Sequence, residues 1–174
     1  MSTAVLKSGW FLVLLACGTI SHAAGGETIE TATVIPALPF ADGGNTCGNQ
    51  NDYDVACPYS DSVSPDVVYA YTPDVDMIVD IDLCESTYDT KLYVFAGGPD
   101  DVVACNDDCW CCEHGEWISR IWPLSLPSGT TYFIVVDGWG SSCGDYVLHV
   151  SGEPAPVPVR GLTWGQVKSR YRMK

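Results

Sequence analysis

Five residues in one short stretch have the chemistry of a metal site: Cys105, Cys109, Cys111 and Cys112, followed by His114. Thiolates and an imidazole suit tetrahedral zinc. The spacing argues against it, because Cys111 and Cys112 are adjacent whereas zinc cysteines come as spaced pairs. Disulfides are therefore preferred over zinc. Cys47 and Cys57 bracket a Gly/Asn/Asp loop and are expected to pair with each other. Cys84 and Cys143 would take each other or members of the cluster, and the sequence does not choose among the pairings.

Oxygen ligands make calcium the stronger metal expectation, since hard cations want several carboxylates and carbonyls where strands converge on loops. The candidates are Asp89, Asn106, Asp107, Asp108 and Asp137; a second acidic patch, Asn51-Asp52-Tyr53-Asp54, has the same chemistry. The competing reading is that Asn-Asp-Asp and Asp-Gly merely form turns. Trp110, Trp139 and Tyr53 are the candidates for ligand contact, the two tryptophans because they fall in expected loops. Catalysis finds little support. HExxH, GxSxG, P-loop and GxGxxG patterns are all missing, and His149 lies in an alternating strand where a packing role is usual. A small hydrolase using paired Asp residues is the least favoured class.

These residues must be held by some framework, and composition narrows it. The 174 residues include 22 acids against 8 bases, a net charge of −14 that repels nucleic acid and anionic membranes. Hydrophobic residues make up 47%, which excludes global disorder. Residues 1–24 read as a signal peptide: Lys7, an apolar run from Trp10 to Ile20, then small residues at Ser21, Ala23 and Ala24. That run is too short to span a bilayer comfortably, so a retained anchor is the weaker reading and no membrane span is expected in the mature chain. Lipoprotein anchoring through Cys17 is the weaker alternative. Removing the leader would leave eight cysteines, an even number suited to disulfides in a secreted or cell-surface protein of bacterial type.

Residues 153–159 form a Pro-rich linker, and 160–174 a tail of five bases and no acids, which a short helix capped by Thr163 would suit. Between the ends, residues 25–152 read as one all-β domain. Eight short β-rich runs are expected at 33–38, 67–72, 77–83, 91–95, 102–105, 117–126, 131–137 and 146–151. Strict alternation in Val79-Asp80-Ile81-Asp82-Leu83 marks a strand with one buried face. The unbroken apolar run Tyr132–Val136 marks a central strand covered on both. The spacing favours a two-sheet antiparallel β-sandwich, jelly-roll-like and disulfide-stabilised.

Four motifs in order carry a resemblance: Tyr88–Phe95, Ala104–Asp108, Leu126–Gly138 and Gly144–Leu148. Together they resemble the bacterial pre-peptidase C-terminal domain family, over roughly residues 29–151. The Cys109–Gly115 stretch departs from it, where the family has a short Gly/Ser-rich loop. The resemblance implies a β-sandwich without catalysis, expected here as a stand-alone copy, and adds to the case for calcium, which some members bind. The function expected is adhesion or recognition of an extracellular protein or polysaccharide. The alternative is an accessory module for a separately encoded secreted peptidase.

Overall fold

The computed structural model describes residues 25–54, 59–60, 62–113, 115–156 and Lys168. The expected leader, Cys57, His114 and the tail apart from Lys168 lie outside the described residues. Among the described residues there are nine strands: β1 (Thr33–Val34), β2 (Phe40–Asn45), β3 (Val67–Tyr71), β4 (Met77–Asp82), β5 (Thr90–Ala96), β6 (Val102–Asn106), β7 (Arg120–Leu126), β8 (Tyr132–Gly138) and β9 (Asp145–Pro154). They form a two-sheet sandwich, with orders β1-β3-β8-β5-β6 and β2-β9-β4-β7. Every pairing is antiparallel except that of β1 with β3. Among the described residues no helix is long and apolar enough to cross a membrane.

Residue alternation builds the main core. In β4, Met77, Val79 and Ile81 face inward while Ile78, Asp80 and Asp82 lie partly exposed, as a strand with one buried face requires. These inward residues meet Leu92, Val94, Ile134 and Val136 from the other sheet, with Tyr69, Tyr146 and Leu148 among them. Each large apolar side chain removed from water there contributes about 1.5–3 kcal/mol. The hydroxyls of Tyr69 and Tyr146 lie 2.8 Å apart, and Tyr69 also donates to Asp42, so the buried phenols keep their hydrogen bonds.

Central strands β8 and β5 are buried on both faces, and the second face has its own cover. On the outer side of the five-stranded sheet, Val68, Tyr93, Phe95 and Val135 form a smaller cluster against Ile29, Ala32 and Tyr53. The N-terminal segment is fastened there by reciprocal backbone hydrogen bonds between Gly26 and Val68.

Two expectations need correction. Strand β2 was not foreseen, because Phe-Ala-Asp-Gly-Gly-Asn reads as turn residues; its pairing with β9 along the sheet edge overrides that propensity. Strand β9 also runs into the expected linker, where Glu153 pairs with Ile78 and Pro154 with Met77. A proline fits there because β2 stops opposite Val150, leaving the other side of β9 unpaired.

The disulfides also differ from expectation. Cys47 pairs with Cys143, not with Cys57, and Cys84 pairs with Cys112 of the cluster. Cys109 pairs with Cys111, and Cys105 is disulfide-bonded as well. Pairing residues close in space matters more than pairing those that bracket a loop. Cys47 lies just after β2 and Cys143 just before its partner β9, so the sheet brings them together. Those bonds take up the thiols that zinc would need, and they suit an oxidising compartment.

Candidate metal centre

Strand order creates the site. Because β5 runs antiparallel to both β6 and β8, its start lies beside their ends. Asp89 immediately precedes β5, Asp107 and Asp108 follow β6, and Trp139 follows β8. Carboxylate oxygens of Asp89, Asp107 and Asp108 all lie within 4.8 Å of one another. They line a cleft of about 350 Å³ together with Trp117 and Trp139.

A buried serine holds the parts in register. The Ser119 hydroxyl reaches the carbonyls of Thr90 and Asp107, each at 2.6 Å, while its N–H donates to the Thr90 hydroxyl at 2.8 Å. The N–H of Thr90 donates in turn to the carbonyl of Trp117 at 3.0 Å. The start of β5, the end of β6 and the loop before β7 thus share one polar knot centred on the buried Thr90 and Ser119. Such a knot is stable because each buried backbone group in it finds a partner.

The carboxylates are less well satisfied. Asp89 Oδ1 and Asp108 Oδ1 are shielded from solvent and have no hydrogen-bond partner among the described residues. Asp107 receives a hydrogen bond from the Tyr59 hydroxyl. Burial, then the charges of Asp107 and Asp108, push the Asp89 carboxyl up to about 6. Burial and Asp108 push Asp107 up as well. Three oxygen-bearing groups converging with orphaned acceptors match the donor set of a hard divalent cation, and calcium takes six to eight oxygens at loose geometry. Asp89, Asp107 and Asp108 would hold it. The cation would neutralise charges that otherwise repel one another.

Other expected ligands point elsewhere. Asn106 uses its side-chain oxygen to accept the N–H of Arg120 at 2.9 Å, which fastens β6 to β7. Asp137 is wholly buried on the outer face of the sheet, where it faces Lys91 at 3.8 Å and accepts the N–H of Gly138 and the hydroxyl of Tyr93. Its side chain therefore stands away from the acidic group. In the second acidic patch, the N–H groups of Asp52 and Tyr53 donate to Asp66, not to a shared ligand.

The aromatic candidates divide likewise. Trp139 is 55% exposed beside the carboxylates. Trp110 is 67% exposed and packs against Trp117 with ring centroids 6.2 Å apart. Tyr53 turns inward: its ring meets Phe95 at 5.6 Å, and its hydroxyl accepts the N–H of Ile29. Trp117 falls in the run expected as a strand from 117 to 126, yet β7 begins only at Arg120 and the indole is 53% exposed. The Glu116-Trp117 pair before a polar Ser119 was the signal available for a loop. Nothing in the sequence pointed to Ser119 as the organiser.

Two solved structures are similar to part of this chain. The pre-peptidase C-terminal domain of a collagenase from Bacillus anthracis is similar over 68% of this chain and 93% of its own, at 12% identity and a TM-score of 0.44. A family 35 carbohydrate binding module from an environmental isolate is similar over 66% of this chain and 83% of its own, at 14% identity and a TM-score of 0.34. No protein-family model and no curated protein matches the sequence.

Proposed function

We propose that this protein is a non-catalytic, extracellular binding module, stabilised by calcium, that recognises a polysaccharide at the cleft between Trp117 and Trp139. The observation that carries the reading is the convergence of Asp89, Asp107 and Asp108 directly beside two exposed indoles. Exposed tryptophans are uncommon on a monomer and offer flat apolar faces on which a sugar ring stacks. Carboxylates or a bound cation beside them supply the polar contacts that orient a ligand. The disulfides and the signal-like leader fit a secreted location.

The test is thermal unfolding of the oxidised protein in EDTA, then with calcium or magnesium restored. A thousandfold excess over the dissociation constant adds about 4 kcal/mol. A saturable, calcium-selective rise in Tm is expected, absent in Asp107→Asn/Asp108→Asn. An unchanged Tm would remove calcium from the proposal. Retention on insoluble polysaccharides with and without calcium tests the ligand; capture of a peptidase with no glycan retention would instead support the accessory role.

A further inference from the structure

The outer apolar cluster of the five-stranded sheet ends on a lysine that solvent does not reach. Lys91 in β5 lies directly opposite Asp137 in β8, and both side chains are fully buried. The Lys91 Nζ is 3.8 Å from Asp137 Oδ2 and 3.6 Å from Asp54 Oδ1. It donates to the Tyr59 carbonyl at 3.1 Å and sits 4.7 Å from the Tyr59 ring centroid. Asp137 is held with equal definition. Its Oδ1 accepts the Gly138 N–H at 2.7 Å and its Oδ2 accepts the Tyr93 hydroxyl at 3.3 Å. Two donors on one carboxyl draw electron density from Cγ, as oxyanion-hole donors do at a carbonyl.

We propose that Lys91 and Asp137 condense into an intramolecular amide, an isopeptide cross-link joining β5 to β8, with Asp54 carrying the protons. The Asp54 carboxylate takes one proton from the Lys91 ammonium and passes it to a carboxylate oxygen of Asp137. The freed amine attacks Cγ and the C–N bond forms. A second proton travels from nitrogen through Asp54 to the same oxygen, the C–O bond breaks, and water leaves. An ammonium and a carboxylate thus become an amide and one water, with Asp54 regenerated and no oxidant, reductant or cofactor consumed.

Three physical features favour this outcome over a permanent ion pair. The reactants are fixed side by side, which replaces a bimolecular encounter with a local one. The Lys91 and Asp137 side chains are both fully buried, so water has poor access to the bond between them, although Asp54 beside them is partly exposed. Keeping two buried charges costs several kcal/mol per ion, and the amide removes both. Burial also raises the Asp137 carboxyl to about 7, which brings its acid form within reach of neutral pH. The cross-link does not depend on the calcium reading, although it would brace the two strands that present Asp89 and Trp139.

Peptide mapping of the full chain by mass spectrometry, after reduction, alkylation and trypsin, tests the bond. The expected result is no cleavage after Lys91. The segment ending at Arg120 should be joined to the one from Ile121 to Arg160, at a mass lower by one water. Linear peptides ending at Lys91, together with a free 121–160 peptide, would overturn the proposal. Asp137→Ala should restore cleavage at Lys91, and a link that survives this change would overturn the assigned partner. Asp54→Asn should slow joining about a hundredfold or more, the loss expected on removing a general base; an unchanged rate would overturn the part given to Asp54.

Discussion

The backbone N–H of Trp139 donates to the carbonyl of Asp89 at 3.0 Å. One hydrogen bond therefore couples the loop that presents the indole to the residue that presents a carboxylate. The turn is closed by Ser142, whose N–H donates to the Trp139 carbonyl at 2.8 Å, and Gly140 supplies its positive φ of 62°. Gly138 is needed for a different reason: a Cβ there would collide with the Ser142 carbonyl and the Ser64 hydroxyl. The cleft is thus built on backbone held by strand ends, a more rigid support than a free loop.

Ser119→Ala should loosen this arrangement. It removes the hydroxyl whose single proton is shared between the Thr90 and Asp107 carbonyls. Leaving buried acceptors unpaired costs about 1–3 kcal/mol, so chemical denaturation should show a lower midpoint with an unchanged slope. Calcium affinity should fall with it, because Asp107 loses its anchor. An affinity equal to wild type would mean that Asp107 is positioned by other contacts.

Stability of the metal-free protein should fall as pH rises towards neutrality. Burial pushes Asp66 up to about 7, and Asp89 stands at about 6. A carboxyl whose folded pKa is raised holds its proton more tightly when folded. Its contribution is fully present below the unfolded value near 4 and is lost as pH climbs through the folded value. Each proton so held changes stability by about 1.4 kcal/mol per pH unit within that window. Asp66→Asn should flatten the profile between about pH 4 and 7. Calcium should flatten the share due to Asp89, since a bound cation favours the carboxylate; urea denaturation in EDTA at stepped pH reads both effects.

Trp139→Ala and Trp117→Ala should change stability little, because both indoles are more than half exposed. Each should weaken polysaccharide retention by about 2 kcal/mol, roughly thirtyfold, as loss of a central aromatic contact does. Trp122→Ala is the control. That indole is 66% exposed on β7 of the other sheet, near Arg120 and away from the cleft. Equal losses for all three would show general stickiness and not a site.

Replacing Cys47 and Cys143 together by serine should cost more than replacing Cys109 and Cys111. The first bond closes a separation of 96 residues, worth about 4.7 kcal/mol of loop entropy on the chain-entropy model. The second closes a separation of only 2 and restricts the unfolded chain little. Thermal unfolding of the two double variants should show the larger drop in Tm for the first; the reverse order would mean that the Cys109–Cys111 loop carries tertiary packing.

Local pattern was enough to identify the sandwich. Alternation in β4 and the unbroken apolar run in β8 are consequences of how many faces of each strand are buried, and burial is written in residue type. The acidic pair Asp107-Asp108 was equally visible, because carboxylates are a property of the side chains themselves. Residue type said nothing of partners distant in sequence. Phe40–Asn45 looks like a turn until β9 pairs with it, Cys47 finds Cys143 only once those two strands are adjacent, and Asp137 is drawn to Lys91 because β5 lies beside β8. Trp117 joins Asp89 for the same reason: a hydrogen bond to Thr90 brings its loop to the start of β5. Period and composition are encoded residue by residue, whereas register and strand order follow from the packing of the whole chain, and the site exists only where strand order makes the ends of β8, β5 and β6 meet.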